Sequence, residues 1–188
     1  MAAETTYTAP SAGRLFFALW VPPACAGTLH AMAGAVVGRS GGRLMREDTL
    51  HLTLAFLGDI AERRLPALMD HAAGLSLPRV PVCLDRLGFW AQNHILFAGS
   101  SAPDPALGAL ADSLQESLKE AGFLAETRAF VPHVTMLRKL LHPGKLPALP
   151  AQAWEAEEFA LVRSWRSDRG AAYETVARWP LQAALPPT

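Results

Sequence analysis

The sequence has no apolar run close to the roughly 20 residues that a membrane-spanning helix needs, which argues against a helical membrane anchor. It has no excess of charge, because 17 basic and 17 acidic residues sum to zero. A protein that coats a nucleic-acid duplex is normally basic. Any contact with nucleic acid is therefore expected in a local pocket that takes an end or a short strand. Only two cysteines are present, Cys25 and Cys83, far apart and without CxxC or zinc spacing. They are expected to be reduced and packed in a cytosolic core. No GxxxxGK or GxGxxG occurs, and Gly41-Gly42 and Gly144 are too sparse for a phosphate loop.

What is present is a globular balance over 188 residues, with 51% apolar and 18% charged. That length suits one domain with a sizeable core. Residues 1–13 are small and polar and are expected to form a disordered tail, leaving 14–183 as a single domain. The apolar run after Arg14, Leu15 to Trp20, is short and is stopped by Pro22-Pro23. It reads as a buried strand rather than a signal peptide, in a cytoplasmic protein.

Cys25, Leu29, Met32 and Val36 recur at helical spacing, and Gly38 and Gly41-Gly42 break that helix. Thr49 to Leu57 alternates, with Leu50, Leu52, Leu54 and Phe56 expected on one face and His51, Thr53 and Ala55 on the other. A second helix runs through Leu65, Leu68, Met69 and Ala72, and strands are expected over Val80–Leu87 and His94–Gly99. Asp104-Pro105 is good start chemistry for a helix lined by Leu107, Leu110, Leu114 and Leu118 and stopped at Gly122. Phe130 to Leu137 is a strand whose polar face carries His133 and Thr135, with Pro132 tolerable at its start or edge. Residues 142–153 read as a proline-rich loop, and two last strands are expected near Phe159–Ser164 and Tyr173–Arg178.

A weak repeat emerges. Each half reads strand with Phe-Ala, then helix, then a strand carrying His-x-Thr. The expected fold is α+β with two similar lobes and their polar strand faces opposite each other across a cleft. The 6 histidines and 10 threonines give roughly 0.3 His-x-Thr pairs by chance, and two occur, both on alternating strands. On a strand, i and i+2 share a face, so each pair offers an imidazole and a hydroxyl to one small volume. Opening a cyclic phosphate needs a base for water and an acid for the departing oxygen, and histidine serves as either near neutral pH. Threonine hydroxyls can donate to the non-bridging oxygens. Zinc is disfavoured, since it wants three or four protein ligands and the polar faces add only threonine.

The blocks Arg14-Leu15-Phe16-Phe17-Ala18-Leu19, Leu50-His51-Leu52-Thr53-Leu54-Ala55-Phe56-Leu57-Gly58 and Phe130-Val131-Pro132-His133-Val134-Thr135-Met136-Leu137-Arg138, with Tyr173 and Trp179-Pro180-Leu181, resemble the RNA 2',3'-cyclic phosphodiesterases. That family, also called 2'-5' RNA ligases, belongs to the two-histidine phosphoesterases. The resemblance spans about residues 14–181. It implies a two-lobed, pseudo-symmetric fold with antiparallel sheets around a central cleft, and a reaction without metal or cofactor. It implies His51 as proton donor to the leaving 3'-oxygen, His133 as proton acceptor from water, Thr53 and Thr135 on the phosphate, and a 2'-phosphomonoester product. Met136-Leu137 replaces the more usual Leu-Ala without touching the His–Thr face.

Arg138 and Arg128 flank the second motif and are candidates for substrate phosphates. Phe130 is a candidate for stacking on a base, whereas Phe56 is expected in the core. Trp90, Trp154, Trp165 and Trp179 are expected to be mostly structural. His30, His71, His94 and His142 lack a partner threonine and are read as surface or structural. The expected partners are RNA ends or nucleotide cyclic phosphates, taken by a monomer with no obligate protein partner and no membrane. The competing readings are a phosphodiesterase for 2'-5' oligonucleotides or small cyclic nucleotides, ligation as the reverse reaction, and an RNA-end binding module without turnover.

Overall fold

A computed structural model describes residues 13–123, 129–167 and 170–183. The expected tail, apart from Gly13, and the candidate Arg128 lie outside the described residues. The elements in chain order are β1 (Arg14–Trp20), α1 (Pro23–Ser40), β2 (Arg43–Leu44), β3 (His51–Asp59), α2 (Leu65–Ala73), β4 (Val80–Leu84), β5 (Arg86–Trp90), β6 (Ile95–Gly99), α3 (Pro105–Glu120), β7 (His133–Arg138), β8 (Gln152–Ala156), β9 (Glu158–Ser167) and β10 (Gly170–Pro180). Among the described residues, no helix is long and apolar enough to cross a membrane.

β1 reads as a continuous apolar run because both of its faces are covered. Leu15, Phe17 and Leu19 enter the main core with residues of all three helices. Phe16 and Ala18 enter a second, smaller cluster with Ala160 and Val162 on the other side. α1 starts with Pro23 in its first turn and ends at Gly41, whose φ of 71° suits glycine. It buries Ala26, Leu29, Ala33 and Val36, with Cys25 and Met32 half-buried beside them. Asp104 caps α3 as its sequence predicts, its carboxylate accepting from Ala106 N at 2.8 Å. Leu107, Leu110, Leu114 and Leu118 are all buried under that helix, each contributing about 1.5–3 kcal/mol of apolar transfer.

Eight strands form one antiparallel sheet in the order β10-β9-β1-β3-β7-β6-β5, with β2 also on β7, and β4 and β8 form a separate two-stranded sheet. The two similar halves, β1–α1–β3 and β6–α3–β7, therefore lie side by side. Their His-x-Thr strands are neighbours along one seam, not faces opposed across a gap, and the two expected sheets are joined there. The seam ladder holds one residue pair, Leu52 with Val134.

Other differences from the sequence reading have local causes. The strand expected over Val80–Leu87 breaks at Asp85, whose carboxylate accepts from Ser101 N at 2.7 Å and from the Ser101 hydroxyl. Such side-chain bonds compete with a ladder. β4 leaves to pair with β8, a strand that starts inside the expected loop. His94 is a turn residue with φ 53° rather than a strand start.

Candidate active site

β3 and β7 each carry a bulge one residue after the threonine. Along β1, Ala18 pairs with Thr53 and Phe17 with Ala55, so Leu54 is the extra residue. Along β6, Phe97 pairs with Thr135 and Leu96 with Leu137, so Met136 is the extra residue. A bulge shifts the alternation by one. Leu54 and Ala55 are both buried, as are Met136 and Leu137, and the next residue returns to the cleft face in each half. That residue is Phe56 in the first half and Arg138 in the second. The expectation that Phe56 packs in the core is corrected: it lines the cleft, 6.4 Å from Phe16 in a stacked pair.

Each bulge exposes a carbonyl that needs a donor, and each finds one. Met45 N donates to Met136 O at 2.9 Å. Gln115 of α3 donates its side-chain amide to Leu54 O at 2.9 Å. The ladder with β7 ends at Leu52, so β7 does not reach the Leu54 carbonyl and the Gln115 side chain supplies its donor. Gln115 had no signal in the sequence beyond a polar residue on a helix.

The cleft above the seam has a volume of about 1320 Å³. His51, Thr53, His133 and Thr135 all line it, with Arg138 and Phe130. In an antiparallel pair centred on Leu52–Val134, His51 lies across from Thr135 and Thr53 across from His133, so the pairs are related by the local two-fold of the ladder. Each imidazole is oriented the same way. His51 Nδ1 donates to Thr49 O at 2.7 Å and His133 Nδ1 donates to Val131 O at 2.8 Å, in both cases two residues back. With Nδ1 committed, Nε2 is left for the cleft.

The surroundings differ in degree. His51 is packed by Phe16 (4.9 Å between ring centroids), Tyr173 (5.3 Å) and Trp20 (5.6 Å). Burial among these rings pulls its pKa from 6.5 down to about 4. His133 is packed by Trp90 (4.6 Å) and Phe97 (6.0 Å), and burial lowers its pKa as well. The positive field of Arg138 adds to the depression of both. Gly88 makes this second wall possible: a Cβ there would stand 2.2 Å from the Phe97 ring. Trp90 and Trp165 line the cleft, whereas the half-buried Trp179 stacks on the core residue Phe159 at 5.4 Å.

Three of the remaining histidines tie elements together. His30 bonds Met45 O at 3.0 Å, His71 bonds the Ser117 hydroxyl at 2.9 Å, and His94 bonds Leu140 O at 3.2 Å. Among the described residues, no three His, Cys, Asp or Glu side chains converge to hold a metal ion.

The chain is similar in sequence and fold to known proteins. A family model described as LigT-like phosphoesterase matches residues 19–97. An RNA 2',3'-cyclic phosphodiesterase of Escherichia coli is 30% identical over 170 residues, spanning 89% of this chain and 96% of its own length. One of Thermus thermophilus is 30% identical over 184 residues, spanning 90% of each chain. The crystal structure of E. coli LigT complexed with 3'-AMP has a TM-score of 0.82 to this chain at 29% identity, covering 90% of this chain and 98% of that one. With its paired motifs on adjacent strands of a shared fold, the chain belongs to the LigT-like phosphoesterase family.

Proposed function

We propose that the protein hydrolyses RNA 2',3'-cyclic phosphate ends to 2'-phosphomonoesters, with His51 and His133 as the acid–base pair and no metal. The observation that carries this reading is the two-fold pairing of His–Thr units, both imidazoles tied back at Nδ1 and free at Nε2. Such a pair brackets one phosphate from two sides. One Nε2 takes a proton from water as its oxygen attacks phosphorus. The other gives a proton to the 3'-oxygen as the P–O3' bond breaks. Thr53 and Thr135 hydroxyls donate to the non-bridging oxygens, and Arg138 balances the charge that builds there. Phe130 on the cleft wall offers a face for the terminal base. Ligation through a 2'-5' bond is the same chemistry reversed.

An acid must carry its proton at Nε2, so it works as an imidazolium. Burial disfavours that form in the free site, and a bound phosphate anion offsets the penalty. The family resemblance makes His51 the donor and His133 the acceptor. The deeper burial of His51 supports a second reading with the roles exchanged, since His133 then holds a proton at less cost. Residues 14–183 act as one unit in either case, because both halves supply the site. Both cysteines are free thiols, which fits a reducing, cytoplasmic setting. Only Cys25 packs against the core. Cys83 is exposed because it points away from the core face of β4, a correction to the expectation that both are packed inside.

The test is a short RNA ending in a 2',3'-cyclic phosphate, incubated with EDTA and followed by phosphorus NMR, for wild type, His51→Ala and His133→Ala. A 2'-phosphate formed by wild type and lost in both variants is expected. Absence of product from wild type would sink the proposal. A cyclic phosphorothiolate with sulfur at the 3' position then separates the roles. Its leaving group needs no acid, so it restores turnover only to the variant that lost the donor.

A further inference from the structure

Four of the arginines described are neutralised on the spot. Arg46 pairs with Asp48, Arg79 with Glu155 and Glu157, Arg163 with Glu62, and Arg178 with Glu158. In a chain of zero net charge this is the expected arrangement. One end of the cleft instead gathers three cations. Arg43 of β2 sits directly opposite Arg138 of β7 in the ladder. Both are half-buried, both line the cleft, and Lys139 lines it beside them. Among the described residues, no carboxylate lies within ion-pair distance of any of the three. Like charges directly opposite on a sheet are destabilising. An anion between the two guanidiniums would offset that repulsion.

The backbone is shaped to hold this cluster. Gly42 has φ 104°, and a Cβ there would stand 3.3 Å from Arg138 O and 3.5 Å from Leu140 Cα. The glycine lets β2 approach β7 and brings Arg43 to its position. Lys139 is held at φ 59°, a region that non-glycine residues seldom occupy. The residue after it is pinned by Leu140 N donating to His94 O at 3.1 Å and by the His94 ring on Leu140 O at 3.2 Å. Gln92 and Asn93 add amides to the same end of the cleft.

Along β7, Arg138 is four residues from the seam, roughly 13 Å at the backbone, and its charge is felt by both histidines. Arg43 lies across from it. A nucleoside whose 2' and 3' oxygens are closed into the cyclic phosphate has one position left for another phosphate, the 5'-oxygen. We propose that Arg43 and Lys139, next to Arg138, bind that second phosphate. This rests on the function proposed above and narrows its substrate class. The preferred ligand carries a phosphate on the 5' side of the terminal nucleoside, either the diester of a strand or a terminal monoester.

The experiment compares kcat/KM for adenosine 2',3'-cyclic phosphate, the same compound with a 5'-phosphate, and the dinucleotide ApA ending in a 2',3'-cyclic phosphate. Wild type is expected to favour the last two by about tenfold or more, the scale of a charge-assisted contact. Arg43→Gln is expected to collapse that ratio towards one, and Arg43→Lys to keep most of it. A gain with both ligands assigns the site to any 5'-phosphate; a larger gain with ApA, lost in Arg43→Gln, assigns it to the diester. Equal rates on all three substrates overturn the inference while leaving the hydrolysis intact. A preference for ApA that survives in Arg43→Gln also overturns it, by assigning the gain to the second base.

A calorimetric titration decides the matter without turnover. Adenosine 2',5'-bisphosphate should bind wild type about tenfold tighter than adenosine 2'-phosphate, and Arg43→Gln should bind the two alike. Equal binding by wild type counts against the site even if no substrate is hydrolysed. The ligand-free Arg43→Gln protein should also melt about 1–3 °C higher, because a like-charge contact is relieved. An unchanged or lower melting temperature counts against the unneutralised pair.

Discussion

His51 and His133 occupy equivalent places in the two halves. Each follows its lobe's helix, each donates Nδ1 to the carbonyl two residues back, and each precedes a bulge one residue past its threonine. Their neighbourhoods are not equivalent. Phe16 and Trp20 of β1 enclose His51 together with Tyr173, which β10 adds by extending the first half beyond β1. Among the described residues, the rings against His133 are Trp90 and Phe97, as the second half of the sheet ends at β5. Beyond each bulge the cleft receives an aromatic ring, Phe56, on one side and a guanidinium, Arg138, on the other. A shared backbone plan supplies two acid–base groups. The difference in what surrounds them gives the groups unlike proton affinities and gives the cleft one apolar and one cationic arm.

The largest effects should come from what the halves share. His51→Ala and His133→Ala are each expected to lower kcat by about 10²–10⁴, read in single-turnover assays. A variant that stays within tenfold of wild type would break the symmetry at its root. Thr53→Val and Thr135→Val come next, each costing about 10²–10³ in kcat if the hydroxyls stabilise the transition state. Similar losses would support equal roles, and an effect on KM alone would assign that threonine to ground-state binding.

The unequal burial of the histidines is tested by pH. His51 takes up its proton near 6.5 when unfolded and only near 4 when folded. Its contribution is therefore fully present above pH 6.5 and is lost as pH falls from there to about 4. The loss amounts to roughly 3 kcal/mol. Denaturant unfolding of wild type and His51→Gln at pH 7 and pH 4.5 should show wild type losing more stability than the variant. The same depression, shared in direction by His133, places the optimum of kcat/KM on the acid side of pH 6.5. A parallel loss in the two proteins, or an optimum above 7, would mean that His51 is far more solvated than its ring neighbours indicate.

Gly88→Ala acts on the second half alone. The added methyl meets the Phe97 ring at 2.2 Å, and moving that ring costs about 1–3 kcal/mol. Thermal melting should fall, and the pKa of His133 by NMR should move while that of His51 does not. The smallest expected effect is at the seam. Gln115→Leu leaves the Leu54 carbonyl without its donor, at a cost of about 1 kcal/mol, with a lower kcat because Thr53 adjoins the bulge.

Much of this site was legible in the sequence because its signals are local. Period-two alternation places His51 with Thr53 and His133 with Thr135, and Asp104-Pro105 marks the start of α3. Helical spacing also marks the buried faces of α1 and α3. Phe56 was misplaced by the same rule that placed His51, since simple alternation cannot foresee an extra residue in the ladder with β1. The matching offset of Arg138 from its histidine was the available clue. Arg43, Gln115 and Gly88 carry no local pattern; their roles come from residues 95, 61 and 9 positions away along the chain.

The sequence by itself determined the chemistry of this protein: which residue types stand side by side on each strand, and that the arrangement occurs twice. Spacing along a strand is a property of the backbone and needs no distant contact. The tertiary structure alone decided that the two strands meet edge to edge at Leu52 and Val134, and which ring or charge stands over each histidine. Those outcomes depend on strand order and register, which are set by how the core closes over both halves rather than by any short run of residues.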